Sequence, residues 1–123
     1  GLNIGYAHSS TFNPTDNRIT MSGDVLTTAV QSDGKILMGG FFYNYGYRNI
    51  IRINSDGSLD HTFSVGTGFN NGVMVVMVQS DGKILVGGGF TSYNGNAKNG
   101  IVRLNVDGSV DNTFSIGTGF NFT

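Results

Sequence analysis

Two histidines, His8 and His61, are the side chains best suited to acid–base work near neutral pH. At an offset of 51 residues His61 meets Asn112, and His8 meets Leu59 and Val110, so neither imidazole recurs where the sequence repeats. A surface or loop histidine is the simpler reading than a composite active site on one repeat. The carboxylates are better organised. Asp56 and Asp60, and again Asp107 and Asp111, stand in D-G-S-x-D, and clustered oxygens of this kind suit a hard cation. The same Asp-Gly pairs also suit turns, because Asp caps nearby backbone and Gly accepts positive φ. No Glu occurs to close a calcium loop, so the turn reading is preferred and no metal site is expected. Asp33-Gly34 and Asp81-Gly82 read the same way, which makes Asp33, Gly34, Asp56, Gly57, Asp81, Gly82, Asp107 and Gly108 the expected structural turns. Arg52 and Arg103 recur at the same offset and are expected to brace the fold by pairing with a nearby Asp or carbonyl. The Gly-rich GTGFN segments lack the Lys-Ser/Thr and the helix that a phosphate loop needs. With no cysteine, disulfides, thiolate metal sites and Cys nucleophiles are excluded. No catalytic residue and no cofactor are expected.

One loop differs between the repeats. It reads Tyr43-Asn44-Tyr45-Gly46-Tyr47-Arg48-Asn49 in one copy and Thr91-Ser92-Tyr93-Asn94-Gly95-Asn96-Ala97-Lys98-Asn99 in the other. Tyr offers a face to stack on and Asn an amide to bond hydroxyls, as a glycan or protein surface requires. The candidate ligand-binding residues are therefore Tyr43, Asn44, Tyr45, Tyr47, Tyr93 and Asn94. Against this, Tyr45 and Tyr93 align in sequence and serve equally to pack the loop, the preferred reading for that pair. Tyr43 and Tyr47 stay open.

The elements that position these residues follow from the repeat. Residues 50–70 return as 101–121, with 15 of 21 positions identical. VQSDGKILMGGFF at 30–42 returns as VQSDGKILVGGGF at 78–90, an offset of 48. A fainter copy opens the chain, where Leu2-Asn3 and Thr11-Phe12 precede Ile53-Asn54 and Thr62-Phe63 by 51 residues and Gly5-Tyr6 replaces Asp-Gly. Within a unit the pattern is β throughout. Strands are expected over 73–79, 83–90, 101–105 and 110–114, joined by Gly-dependent hairpin turns. The diglycines Gly39-Gly40 and Gly87-Gly88 fall inside the second strand, where a missing Cβ admits another backbone or an aromatic ring. Four short strands in about 50 residues match one blade of a β-propeller. Residues 1–21 are read as the end of a preceding blade, 22–72 as one blade and 73–123 as the next.

Composition narrows the class. Among 123 residues there are 20 Gly, one Pro and 12% charged residues, with a net charge of −1. Such a surface neither draws nucleic acid nor binds an anionic membrane by charge. The longest apolar run, Val73–Val78, is far short of the roughly 18 residues of a spanning helix, so no membrane insertion is expected. A chain opening at Gly1 reads as a processed product or an excerpt. Closed propellers need about four to eight blades, so an incomplete propeller is expected in one chain. Either further blades of a longer parent or identical copies, three of them making six blades, would complete it.

The combined motif VQSDGKILVGG-F followed by RLN-DGS-D-TF resembles the delta-60 repeat family of β-propellers, weakly before Val25. The resemblance implies a large surface, secreted or virion protein, extracellular in location. It supplies no catalytic residue. The function so implied is a non-catalytic, adhesin-like module that binds glycan or protein. The alternative is a purely structural spacer or assembly subunit of a filament, fibre or virion, and an enzyme is the least supported reading.

Overall fold

The computed structural model describes residues 19–114. The opening copy of the repeat, His8 among it, and the second GTGFN segment lie outside them. All the regular structure among the described residues is β. Strands β1 (Asp24–Val30), β2 (Ile36–Asn44) and β3 (Tyr47–Ile53) form one antiparallel sheet in sequential order. A second antiparallel sheet orders β4 (Val73–Val78), β5 (Ile84–Gly88) and β8 (Ile101–Leu104). Between its last two strands a small hairpin projects, β6 (Ser92–Tyr93) against β7 (Asn96–Ala97). We call the two sheets blade 1 and blade 2.

The fourth run departs from the expected strand. Only Leu59 and Val110 pair, as isolated bridges to Ile53 and Leu104. The reason lies in the D-x-T-F that follows. The Asp111 carboxylate accepts both the amide (3.0 Å) and the hydroxyl (2.6 Å) of Thr113, and Phe114 N–H turns back to the Asp111 carbonyl. Asp60 and Thr62 do the same. A side chain that satisfies the backbone locally competes with the ladder, and here it ends the strand.

All four Asp-Gly turns form. In each, the Gly N–H bonds the carbonyl three residues back, and the flanking residues close a second bond, as in Gln79 N–H to Lys83 O at 2.8 Å. The positive φ falls on Gly34, Gly57, Gly82 and Gly108, between 88° and 96°, and not on the aspartates. Each Asp instead accepts the amide two residues on, at 2.9–3.0 Å. That is a three-residue hairpin with a left-handed Gly.

The diglycines admit backbone, as expected. A Cβ on Gly40 would collide with the Asp24 carbonyl oxygen, and one on Gly88 with that of Gly72. Both sites lie at a bulge in the first strand of the blade, between Val25 and Thr27 or between Val73 and Val75. Gly39 serves packing between the blades, since its Cβ would strike Val73 of β4.

The core sits between the sheets. Leu37 and Ile50 of blade 1 share one buried cluster with Val73, Val76, Ile84, Val86, Val102 and Leu104 of blade 2. The connection from blade 1 to β4 adds Phe63, Val65 and Phe69 to it. The other face of blade 1 holds a second cluster, with Met38, Ile51 and Ile53 beneath Ile19 and Met21.

Candidate functional site

The residues that repeat most faithfully assemble one polar cluster per blade. In blade 1, Arg52 donates from Nε to Asp60 Oδ2 at 2.8 Å, from Nη1 to Gln31 Oε1 at 3.3 Å, and from Nη2 to Thr62 Oγ1 at 3.4 Å. Its Nη1 also reaches the Val106 carbonyl of blade 2, and its plane covers the Phe63 ring at 4.6 Å. Lys35 Nζ joins Asp60 Oδ2 at 3.0 Å and Asn54 Oδ1 at 2.6 Å. Blade 2 repeats this set with Arg103, Asp111, Thr113, Gln79, Lys83, Asn105 and Phe114. The bracing role expected of both arginines is therefore present, with both an Asp and, for Arg52, a carbonyl as partner.

Electrostatics in the cluster favour the ionised carboxylate. Burial alone would raise the pKa of Asp60, but the Thr62 hydroxyl and amide, with Lys35 and Arg52, outweigh it and hold the group well below the usual carboxylate range. For Asp111 the Thr113 hydroxyl bond leads the lowering, helped by its amide, Arg103 and Lys83. Both oxygens of Asp60 are thus spoken for. Asp56 and Asp107 bond the Ser58 and Ser109 of their own turns at 2.6 Å. The D-G-S-x-D carboxylates are distributed over a turn and a brace, not converged on one point. No group of three or more metal-ligating side chains converges among the described residues.

The candidate binding loop divides by burial. Asn44 is buried, holding Ser22 through both ends of its amide. Tyr93 is 2% exposed, bonds the Gly108 carbonyl and meets Phe69 at 4.5 Å between ring centroids. Burial pushes its phenol pKa up, and the Asp107 charge adds to this. Tyr47 is half-buried, donating to the Phe63 carbonyl at 3.1 Å, and Tyr45 donates to the Thr20 carbonyl at 2.9 Å. Tyr43 is 66% exposed, with Arg48 stacked on its ring at 4.9 Å. Asn94 is exposed, and its Oδ1 accepts Thr67 N–H at 3.2 Å. His61 lies exposed on the turn after Asp60.

The alignment of Tyr45 with Tyr93 needs correcting. The two hairpin tips are Tyr45-Gly46 (φ 55° and 84°) and Asn94-Gly95 (φ 48° and 77°), the left-handed pair of a type I′ turn. Tyr45 therefore corresponds to Asn94, and Tyr93 to Asn44. Asn49 escaped sequence reasoning. It is buried at φ 68° and ties Phe42 N–H (3.0 Å) to the Phe69 carbonyl (2.8 Å). Gly100, also left-handed, stands in its place in blade 2, and an Asn opposite a Gly was the available signal.

Over blade 2 the variable loop borders an open cleft of about 640 Å³. Asn94, Asn96, Lys98, Asp107, Ser109 and Asn112 line it together with Ser64 of blade 1, and Tyr93 and Gly108 form part of its wall. Amides and hydroxyls with one charge of each sign can offer and accept hydrogen bonds in several directions.

No curated protein and no solved structure matches the chain. The family described as a domain of unknown function (DUF5122) beta-propeller matches residues 31–63 and 79–114. Each stretch runs within one blade, from the Gln before its first Asp-Gly turn to the Phe under its arginine, and leaves out the blade's first strand. On that match, which covers more than half of the sequence, the chain belongs to the DUF5122 β-propeller family.

Proposed function

We propose that this chain is a non-catalytic binding module, of the delta-60 type, in a surface, secreted or virion protein. It recognises a hydroxyl-rich glycan or a polar protein surface at the cleft over blade 2. The observation that carries this reading is the division of labour among polar residues. The repeated arginines and their aspartates are used up within the blades, whereas Asn94, Asn96 and Lys98 of the loop that differs between them, and Asn112 where blade 1 has His61, line the cleft beside the repeated turn residues Asp107 and Ser109. A scaffold held constant with chemistry on the loops is how binding sites are usually added to a fold.

A glycan array probed with the chain, followed by titration of any hit, tests the proposal. Asn94→Ala and Asn112→Ala together should weaken a hit at least roughly tenfold. Binding unchanged by both would move the site elsewhere. The second reading, an assembly subunit of a fibre or virion, is supported by the exposed Val75 and Met77 on blade 2.

A further inference from the structure

Blade 1 shows what covers one face of this repeat. On that face the rows Thr27–Gly39–Ile50 and Ala29–Leu37–Arg52 run across its three strands. Leu37 and Ile50 are fully buried against blade 2. Thr27 Oγ1 accepts Val76 N–H of β4 at 3.3 Å, and Arg52 reaches the Val106 carbonyl. The matching rows of blade 2 are Val75–Gly87–Ile101 and Met77–Leu85–Arg103. Here Val75 is 41% and Met77 57% exposed. The Arg103 side chain is 21% exposed against 3% for Arg52. Its Nη1 bonds Gln79 of its own blade at 3.5 Å, and among the described residues it has no counterpart of Val106. The face is the same. Among the described residues nothing covers it as blade 2 covers blade 1.

The opposite surface of the chain offers the matching piece. In the contact between blades, β4 presents Val76 and Val78 to Thr27 and Ala29. Their equivalents on β1 are Thr28 and Val30, both exposed, Val30 to 67%. Ile19 and Met21 pack with Met38 of β2 and Ile51 and Ile53 of β3 on that side, and among the described residues Thr28 and Val30 stay exposed.

We propose that the Val75/Met77 face of blade 2 docks a second copy of this chain, head to tail, through Thr28 and Val30 of its β1. The exposed turn residue Ser55 would then offer Arg103 the carbonyl that Val106 offers Arg52. This inference is independent of the cleft and its ligand. A head-to-tail contact repeats until the rotation closes, and closure at about four to eight blades means two to four copies in a ring.

The chain has no cysteine, so engineered thiols report the contact cleanly. Sedimentation at micromolar concentration should give one discrete species of two to four chains. Val75→Cys mixed with Thr28→Cys should form a disulfide between chains under mild oxidation, whereas each variant alone should not. Met77→Asp should weaken association at least roughly tenfold with the circular dichroism spectrum retained. A monomer in sedimentation overturns the proposal. So does a Val75→Cys variant that cross-links to itself as readily as to Thr28→Cys, or an assembly indifferent to Met77→Asp.

Discussion

Arg52 and Arg103 make the same bonds to their own blades but sit at different depths, and this separates what their aspartates contribute. Asp60 is 3% exposed and neutralises a buried guanidinium. Removing its charge leaves that guanidinium without its carboxylate, at a cost of about 3 kcal/mol. Asp60→Asn should lower urea stability by that order, and Asp111→Asn by clearly less, because Arg103 is partly solvated. The lowered pKa values fix the pH dependence. A carboxylate held below its unfolded value stabilises the fold above that value and loses the contribution as pH falls toward the folded one. Stability should therefore fall below about pH 4, and Asp60→Asn should flatten that fall. At the alkaline end the buried Tyr93 has the opposite sign. Its raised pKa favours the fold until the unfolded phenol ionises, so stability should drop above about pH 10. Tyr93→Phe should reduce that drop. Unfolding curves at pH 3, 7 and 11 check both ends. Of these roles the arginine brace was legible in the sequence, from the shared offset of Arg52/Arg103 and Asp60/Asp111. The carbonyl from Val106 was not, since it comes from another blade 54 residues away.

Among the elements, hairpins were the most legible because their signal is local. Asp-Gly between apolar runs specifies a turn from the residues within it, whatever the rest of the chain does. The fourth strand is less legible for the converse reason. Val110 to Phe114 has an apolar residue at each end, yet Asp111 and Thr113 close a turn that alternation does not reveal. Residue type aligns Tyr45 with Tyr93, but turn position governs the backbone, and the left-handed pairs Tyr45-Gly46 and Asn94-Gly95 fix the correspondence. The glycines give a graded prediction. Gly82 needs its positive φ but has room, with the nearest neighbour of a Cβ being Val106 Cγ2 at 3.4 Å. Gly82→Ala should cost about 1 kcal/mol, from conformation alone. Gly108 has a similarly positive φ, and a Cβ there would lie 2.5 Å from the Ser64 carbonyl oxygen, so Gly108→Ala should cost more, by shifting blade 1 from blade 2. Equal losses in thermal unfolding would contradict this account.

At the scale of the whole molecule, the larger core belongs to both blades, and only the smaller cluster beneath Ile19 and Met21 belongs to blade 1 alone. Leu37 and Ile50 belong to blade 1 by strand and to the interface by packing, so neither sheet buries its apolar face without the other. The two should unfold in a single transition, the behaviour of repeats whose stability lies in their neighbours. Leu37 and Leu85 put this to a direct test, because they hold the same register position on the same face. Leu37 is fully buried beneath blade 2, and Leu37→Ala should cost about 2–5 kcal/mol with a cavity left behind. Leu85 has only partial cover in a single chain, so Leu85→Ala should cost below about 1 kcal/mol in dilute solution. Raising the protein concentration separates solvent from a partner as the cover of Leu85. With a second copy in place, the melting temperature of the unaltered chain rises with concentration, and the loss from Leu85→Ala grows toward that of Leu37→Ala. If the two substitutions differ by the same amount at every concentration, blade 2 presents this face to water.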